Sequence, residues 1–140
     1  MSLVNLIPPD IKYAVMAVVV ACLLPYVFAI LSKKVGGFDF KTDNHHPRDF
    51  LAKTTGLSAR LNAAQANSFE SLPIFIGAVL LAMYCFVPQN IINFLAWFYV
   101  LLRVIFGVAY AYDLAMFRSV IWGLSLMCCL QLFYFSIKML

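Results

Sequence analysis

A chain of 140 residues that is 64% hydrophobic and 11% charged has too little polar surface to cover a water-soluble globule of its size. The length fits one domain, and the mean hydropathy of +0.92 points to lipid as the solvent. The net charge of +4 follows from where the cations fall along the chain, so no nucleic-acid partner is implied.

Residues 1–10 carry no basic residue ahead of the first apolar run, which predicts a retained first helix rather than a cleaved leader. Apolar segments at about 11–32, 67–87, 91–112 and 117–137 each approach the roughly 20 residues that a helix needs to cross a bilayer. Backbone satisfaction in lipid favours helices, and there is no ten-residue alternation of a barrel. The predicted fold is all-α: an antiparallel four-helix transmembrane bundle in a single domain, 1–140.

The connection at about 33–49 is the one long loop, punctuated by Gly36, Gly37 and Pro47. Asp49 is placed to cap a helix that starts near Phe50 and runs unbroken into the second span. At 1.5 Å per residue that helix would be roughly 55 Å long and project beyond the bilayer. Pro25 and Pro73 predict local kinks. Lys33, Lys34, Lys41, Arg48, Lys53 and Arg60 precede the second span and Arg118 opens the fourth, whereas 87–90 holds no Lys or Arg. The positive-inside rule puts these basic connections in the cytoplasm and both termini on the opposite side, with membrane lipids as immediate partners. Cys22, Cys85, Cys128 and Cys129 lack zinc or redox spacing and read as buried apolar residues. His45-His46 has no third ligand at a diagnostic spacing, so no metal site is predicted.

Polar residues at membrane depth carry the functional signal. Arg60, Asn67 and Glu70 fall on one helical stripe, and Arg103 and Tyr110 on another. Counted from the shared end of the two helices, Glu70 and Arg103 lie at about 24 and about 21 Å, and Asn67 and Tyr110 at about 28 and about 31 Å. An unpaired charge in hydrocarbon costs at least about 2.5–3.5 kcal/mol. Two readings follow: a structural Glu70–Arg103 ion pair, or a polar cleft for an anionic or zwitterionic ligand. Arg118-Ser119 could supply a guanidinium and a hydroxyl beside that cleft, a pair able to stabilise a thiolate.

Arg60…Ala-Gln-Ala-Asn67-Ser-Phe-Glu70-Ser-Leu-Pro73, then Arg103-Val…Val-Ala-Tyr110 and Arg118-Ser119-Val120, resemble the MAPEG family, membrane-associated proteins in eicosanoid and glutathione metabolism. The resemblance spans nearly the whole chain. It implies a homotrimer with glutathione sites between subunits on the cytoplasmic side, and transfer or peroxidase chemistry on lipophilic small molecules. Carried over by position, Arg60, Gln65, Asn67, Glu70, Arg103 and Tyr110 would hold glutathione, while Arg118 and Ser119 would stabilise its thiolate. Ala63 stands where many glutathione-using relatives carry arginine and Ala66 where some do, and Phe106 stands where relatives carry tyrosine or histidine. The family also includes a non-enzymatic lipid-binding activator, and a second reading is a non-catalytic lipid- or fatty-acid-binding module, since Ala63, Ala66 and Phe106 make the cleft less cationic and more apolar. A small transporter is a third reading of the intramembrane charges.

Overall fold

The computed structural model describes residues 3–140. A 3₁₀ turn at Leu3–Leu6 leads into α1 (Ile11–Gly36); α2 (Pro47–Ala52), α3 (Gly56–Tyr84), α4 (Gln89–Ala111) and α5 (Ala115–Met139) follow, with a second 3₁₀ turn at Asp43–His45. Helices α1, α3, α4 and α5 are each long and apolar enough to cross a membrane, in line with the four spans expected. Pro25 and Pro73 lie inside α1 and α3, which run through them without interruption.

The long helix expected from Phe50 into the second span is broken. Lys53 N–H folds back onto Phe50 O, and the Thr54 hydroxyl donates to Leu51 O at 2.7 Å. Gly56 then takes a φ of +60°, so α3 starts afresh there. Asp49 is not the cap: Pro47, which has no N–H to leave unsatisfied, opens α2, and Asp49 sits in its first turn.

Three helices stop in the same way. At the ends of α1, α3 and α4, a residue with positive φ (Gly37, Phe86 and Asp113) turns the chain. The next N–H then reaches back to a carbonyl in the last turn: Phe38 to Lys33, Val87 to Ala82 and Leu114 to Ala109, at 2.9–3.0 Å. This is the Schellman closure, which satisfies carbonyls that would otherwise be stranded near lipid. Only the first uses glycine; Phe86 and Asp113 each adopt the left-handed region at a cost of about 1–2 kcal/mol.

The buried positions of α1 (Ala14, Ala17, Ala21, Pro25, Phe28 and Ser32) recur every three or four residues and form one stripe against α3 and α4. Small residues let the backbones approach. Gly107 receives the Phe28 ring so closely that a Cβ there would overlap it. Ser32 and Ser58 exchange hydrogen bonds reciprocally, Ser32 Oγ donating to Ser58 O at 2.7 Å and Ser58 Oγ to Ser32 O at 2.6 Å. At the other end, fully buried Asn93 donates from Nδ2 to Pro8 O and Asp10 O at 2.8 and 3.0 Å. Trp97 Nε1 donates to Tyr13 O at 2.9 Å. Asp10 caps α1 by accepting from the Lys12 N–H, which with the Lys12 ammonium holds its exposed carboxyl below the ordinary pKa. The four cysteines are free thiols, with Cys128 and Cys129 buried.

Gly107→Ala should lower stability by about 1–3 kcal/mol, the usual range for overpacking a filled core. Unfolding in detergent measures this, and Phe28→Leu in the same chain should restore part of the loss. Unchanged stability of the single variant would contradict the close approach.

Candidate functional site

Arg103 organises the polar residues. It is 2% exposed although it sits in a helix that can span a membrane. Its Nη2 donates to Asn67 Oδ1 at 2.8 Å and to Ser68 Oγ at 3.1 Å, and its guanidinium carbon lies 4.2 Å from the centre of the Phe106 ring. Nε and Nη1 have no hydrogen-bond partner among the described residues. Of the two readings of the membrane-depth charges, the Glu70–Arg103 ion pair is absent. The only ion pair among the described residues is Asp10–Lys12, and Glu70 is exposed on the outer face of α3. The depth estimate put Glu70 level with Arg103, but the contact falls two and three residues earlier, at Ser68 and Asn67.

That contact sets the chemistry of Asn67. With Oδ1 accepting from Arg103, the amide is oriented so that Nδ2 remains available as a donor. Below it, Tyr99 OH donates to Ser71 Oγ at 3.1 Å, and the Ser71 hydroxyl in turn lies 3.2 Å from Asn67 O and Ser68 O. Tyr99 stacks flat on Phe75 with ring centres 4.0 Å apart, which fixes the hydroxyl end of this chain.

Aromatic rings continue the line toward the other arginine. Phe106 meets Tyr110 edge-on at 5.6 Å, and the Arg118 guanidinium carbon lies 4.1 Å above the Tyr110 ring. Two cations are therefore seated on adjacent rings of one helix face, an arrangement worth about 0.5–2 kcal/mol per contact. The Asp113 turn between α4 and α5 brings Arg118 back over Tyr110. Ser119 is exposed, and its hydroxyl donates to Ala115 O at 3.1 Å.

Asn67, Phe106, Tyr110, Arg118, Ser119 and Trp122 line one open cleft of about 460 Å³. A smaller slot of about 240 Å³ shares Asn67 and Trp122 with it and continues past Glu70, Ile74, Tyr99 and Cys129. Its exposed lining is mainly apolar. A crevice of about 620 Å³ lies beneath the loop between α1 and α3. It contains none of the polar-stripe residues, so size does not make it the candidate site.

Of the residues singled out in the sequence, Asn67, Tyr110, Arg118 and Ser119 converge on the cleft, Glu70 on the slot, and Arg103 stands behind Asn67. Arg60 and Gln65 line neither. Arg60 Nε instead donates to Ala111 O at 3.1 Å, closing the carboxyl end of α4. Gln65 Oε1 is buried with no hydrogen-bond partner among the described residues. Sequence reasoning missed Ser68, Ser71, Tyr99, Trp122 and Cys129. Two of these had a readable signal: Ser71 lies four residues after Asn67, and Tyr99 four before Arg103, so each shares a helix face with a residue already flagged. No group of three or more metal-binding side chains occurs among the described residues, and His45 and His46 are exposed.

The family model for MAPEG matches residues 12–138. The chain belongs to the MAPEG family. Four membrane-length helices and this membership make it a multi-pass membrane protein of a family concerned with glutathione and eicosanoid metabolism. Neither a curated protein nor a solved structure gives a significant match. In this MAPEG chain, Phe106 carries the Arg103 guanidinium on its ring, a role that a reading of residue types alone would record only as a lost hydroxyl.

Asn67→Ala removes the charged hydrogen bond from buried Arg103 and should cost about 1.5–3 kcal/mol. Asn67→Asp keeps an acceptor and should retain most of the stability. Thermal unfolding of the two variants in the same detergent measures the difference, and equal losses would count against the Arg103 contact.

Proposed function

We propose that this MAPEG protein is a glutathione-dependent transferase or peroxidase acting on lipophilic electrophiles, built as a homotrimer of antiparallel four-helix subunits. The observation that carries this reading is the single cleft on which Asn67, Tyr110, Arg118 and Ser119 converge, with Arg103 behind them. A γ-glutamyl tripeptide brings two carboxylates, an ammonium and a thiol. Asn67 Nδ2 is a donor suited to a carboxylate or carbonyl, and Arg103 Nε and Nη1, which have no partner among the described residues, supply further positive potential. The Glu70 carboxylate, which has no ion-pair partner among the described residues, is suited to the ammonium.

Arg118 then acts on the thiol. A guanidinium held over the Tyr110 ring favours the thiolate by direct attraction, and the proton leaves to water. The Ser119 hydroxyl can support the sulfur after it turns away from Ala115 O. In conjugation, the thiolate sulfur bonds to the electrophilic carbon while the leaving group departs with its electron pair. The adjoining slot past Trp122 is where a lipophilic acceptor would lie.

Assembly is part of the proposal. The cleft is open on one side, Glu70 is exposed at membrane depth, and Gly77 and Gly123 face open space. A neighbouring subunit packed there would shield the carboxylate from lipid and complete the cleft. The basic loops and the cleft would face the cytoplasm, where glutathione is available.

A non-catalytic lipid-binding module is the second reading. It is favoured by the apolar slot together with Ala63 and Ala66, which supply no cation for a tripeptide carboxylate.

Purified protein mixed with glutathione should show a thiolate signal in ultraviolet difference absorbance. Arg118→Ala should reduce turnover about 10²–10³-fold, the scale for removing one stabilising donor. No thiolate and no binding up to about 10 mM glutathione, a ceiling of about −2.7 kcal/mol, would end the glutathione reading. A tightly retained lipid seen by native mass spectrometry under those conditions would favour the module.

A further inference from the structure

The loop between α1 and α2 has an uneven division of labour among its charges. Its acids are turned inward on the loop itself. Asp39 Oδ1 accepts from Lys41 N–H at 2.9 Å and Oδ2 from the Thr42 hydroxyl at 3.3 Å, while Asp43 Oδ2 accepts from Asp39 N–H at 2.8 Å. These bonds shape the turn that follows α1. The cations are not matched in this way: none of Lys33, Lys34, Lys41, Arg48 and Lys53 has a carboxylate partner among the described residues. Five cations therefore oppose three carboxylates in this stretch, and two of the carboxylates are already occupied by loop donors.

The same turn presents an apolar group beside the cations. Phe40 is 76% exposed, yet it is braced edge-on against Phe38 at 5.3 Å, and Phe38 against Phe50 at 5.0 Å. The Lys33 ammonium lies 4.7 Å over the Phe38 ring. All of this begins at the last turn of α1, where the left-handed Gly37 ends a membrane-length helix and redirects the chain. An exposed aromatic ring flanked by lysines that no described carboxylate neutralises, at the point where a span leaves hydrocarbon, matches the headgroup region of a bilayer.

We infer that this loop is a preformed anchor for anionic phospholipid, with Phe40 entering the headgroup–acyl boundary and Lys33, Lys34 and Lys41 meeting the phosphates. The occupant is a lipid of net negative headgroup charge. The crevice beneath the loop is not its seat, because Asp43 and Asp49 line it against the single cation Lys53, whereas Lys33, Lys34 and Lys41 lie outside it. Because the acids order the turn before any lipid arrives, little conformational freedom remains to be lost on contact. This inference is independent of the glutathione reading.

Hydrogen exchange on the full chain in lipid nanodiscs tests it. Backbone amides of residues 38–46 should exchange about fivefold more slowly with phosphatidylglycerol present than in phosphatidylcholine alone, the effect of roughly one lysine's attraction to an anionic surface. About 1 M salt, which cuts the screening length to about 3 Å, should erase the difference. Combined Lys33→Gln, Lys34→Gln and Lys41→Gln should erase it too, whereas the corresponding arginine variants keep it. Phe40→Ala should reduce it. Equal exchange in both lipid compositions, or slowing that survives the glutamine variant, would overturn the inference.

Discussion

A guanidinium buried between membrane-length helices must find its solvation inside the protein. In this chain Arg103 finds it in Asn67, Ser68 and the face of Phe106, contributed by α3 and by its own helix. The arrangement joins stability and chemistry. The side chains that make Arg103 tolerable also set which end of the Asn67 amide faces the cleft. Replacing Arg103 by an apolar residue would release that amide, so neither can be considered apart from the other.

The cleft depends equally on helix ends. Tyr110 and Arg118 belong to different helices and meet only because α4 stops sharply at Asp113. Arg60 closes the same end of α4 from a third helix. Thus Arg60, which resembles a ligand contact in the sequence, contributes to the site by holding a carbonyl. This is a different use of the same charge, and it accounts for a cation in a stripe whose other members, Asn67 and Glu70, line the cleft and the slot.

Much of the architecture was legible because hydrocarbon imposes a simple rule: long apolar runs between polar turns become helices. The four spans followed from that rule, and the shared level of Asn67 and Tyr110 followed from depth counting. What failed was finer than one helical turn. Depth counting placed Glu70 beside Arg103, but rotation about the α3 axis decides which side chain faces the partner, and Asn67 and Ser68 do. The break at Lys53–Gly56 was hidden for another reason. Its turn is made by a threonine hydroxyl and a left-handed glycine, in a stretch whose flanks both favour helix. The ring supporting Arg103 escaped notice because phenylalanine was judged by the hydroxyl it lacks.

The Asn93 latch bears on how the chain is assembled as it is made. Asn93 grips carbonyls that lie 83 and 85 residues earlier, so the two sides of that contact emerge from the ribosome far apart in time. Contacts of such separation close late, after the intervening chain has been ordered. The first span must therefore wait in the bilayer with its amino-terminal carbonyls unclaimed by α4, and its position becomes final only once α4 has joined it.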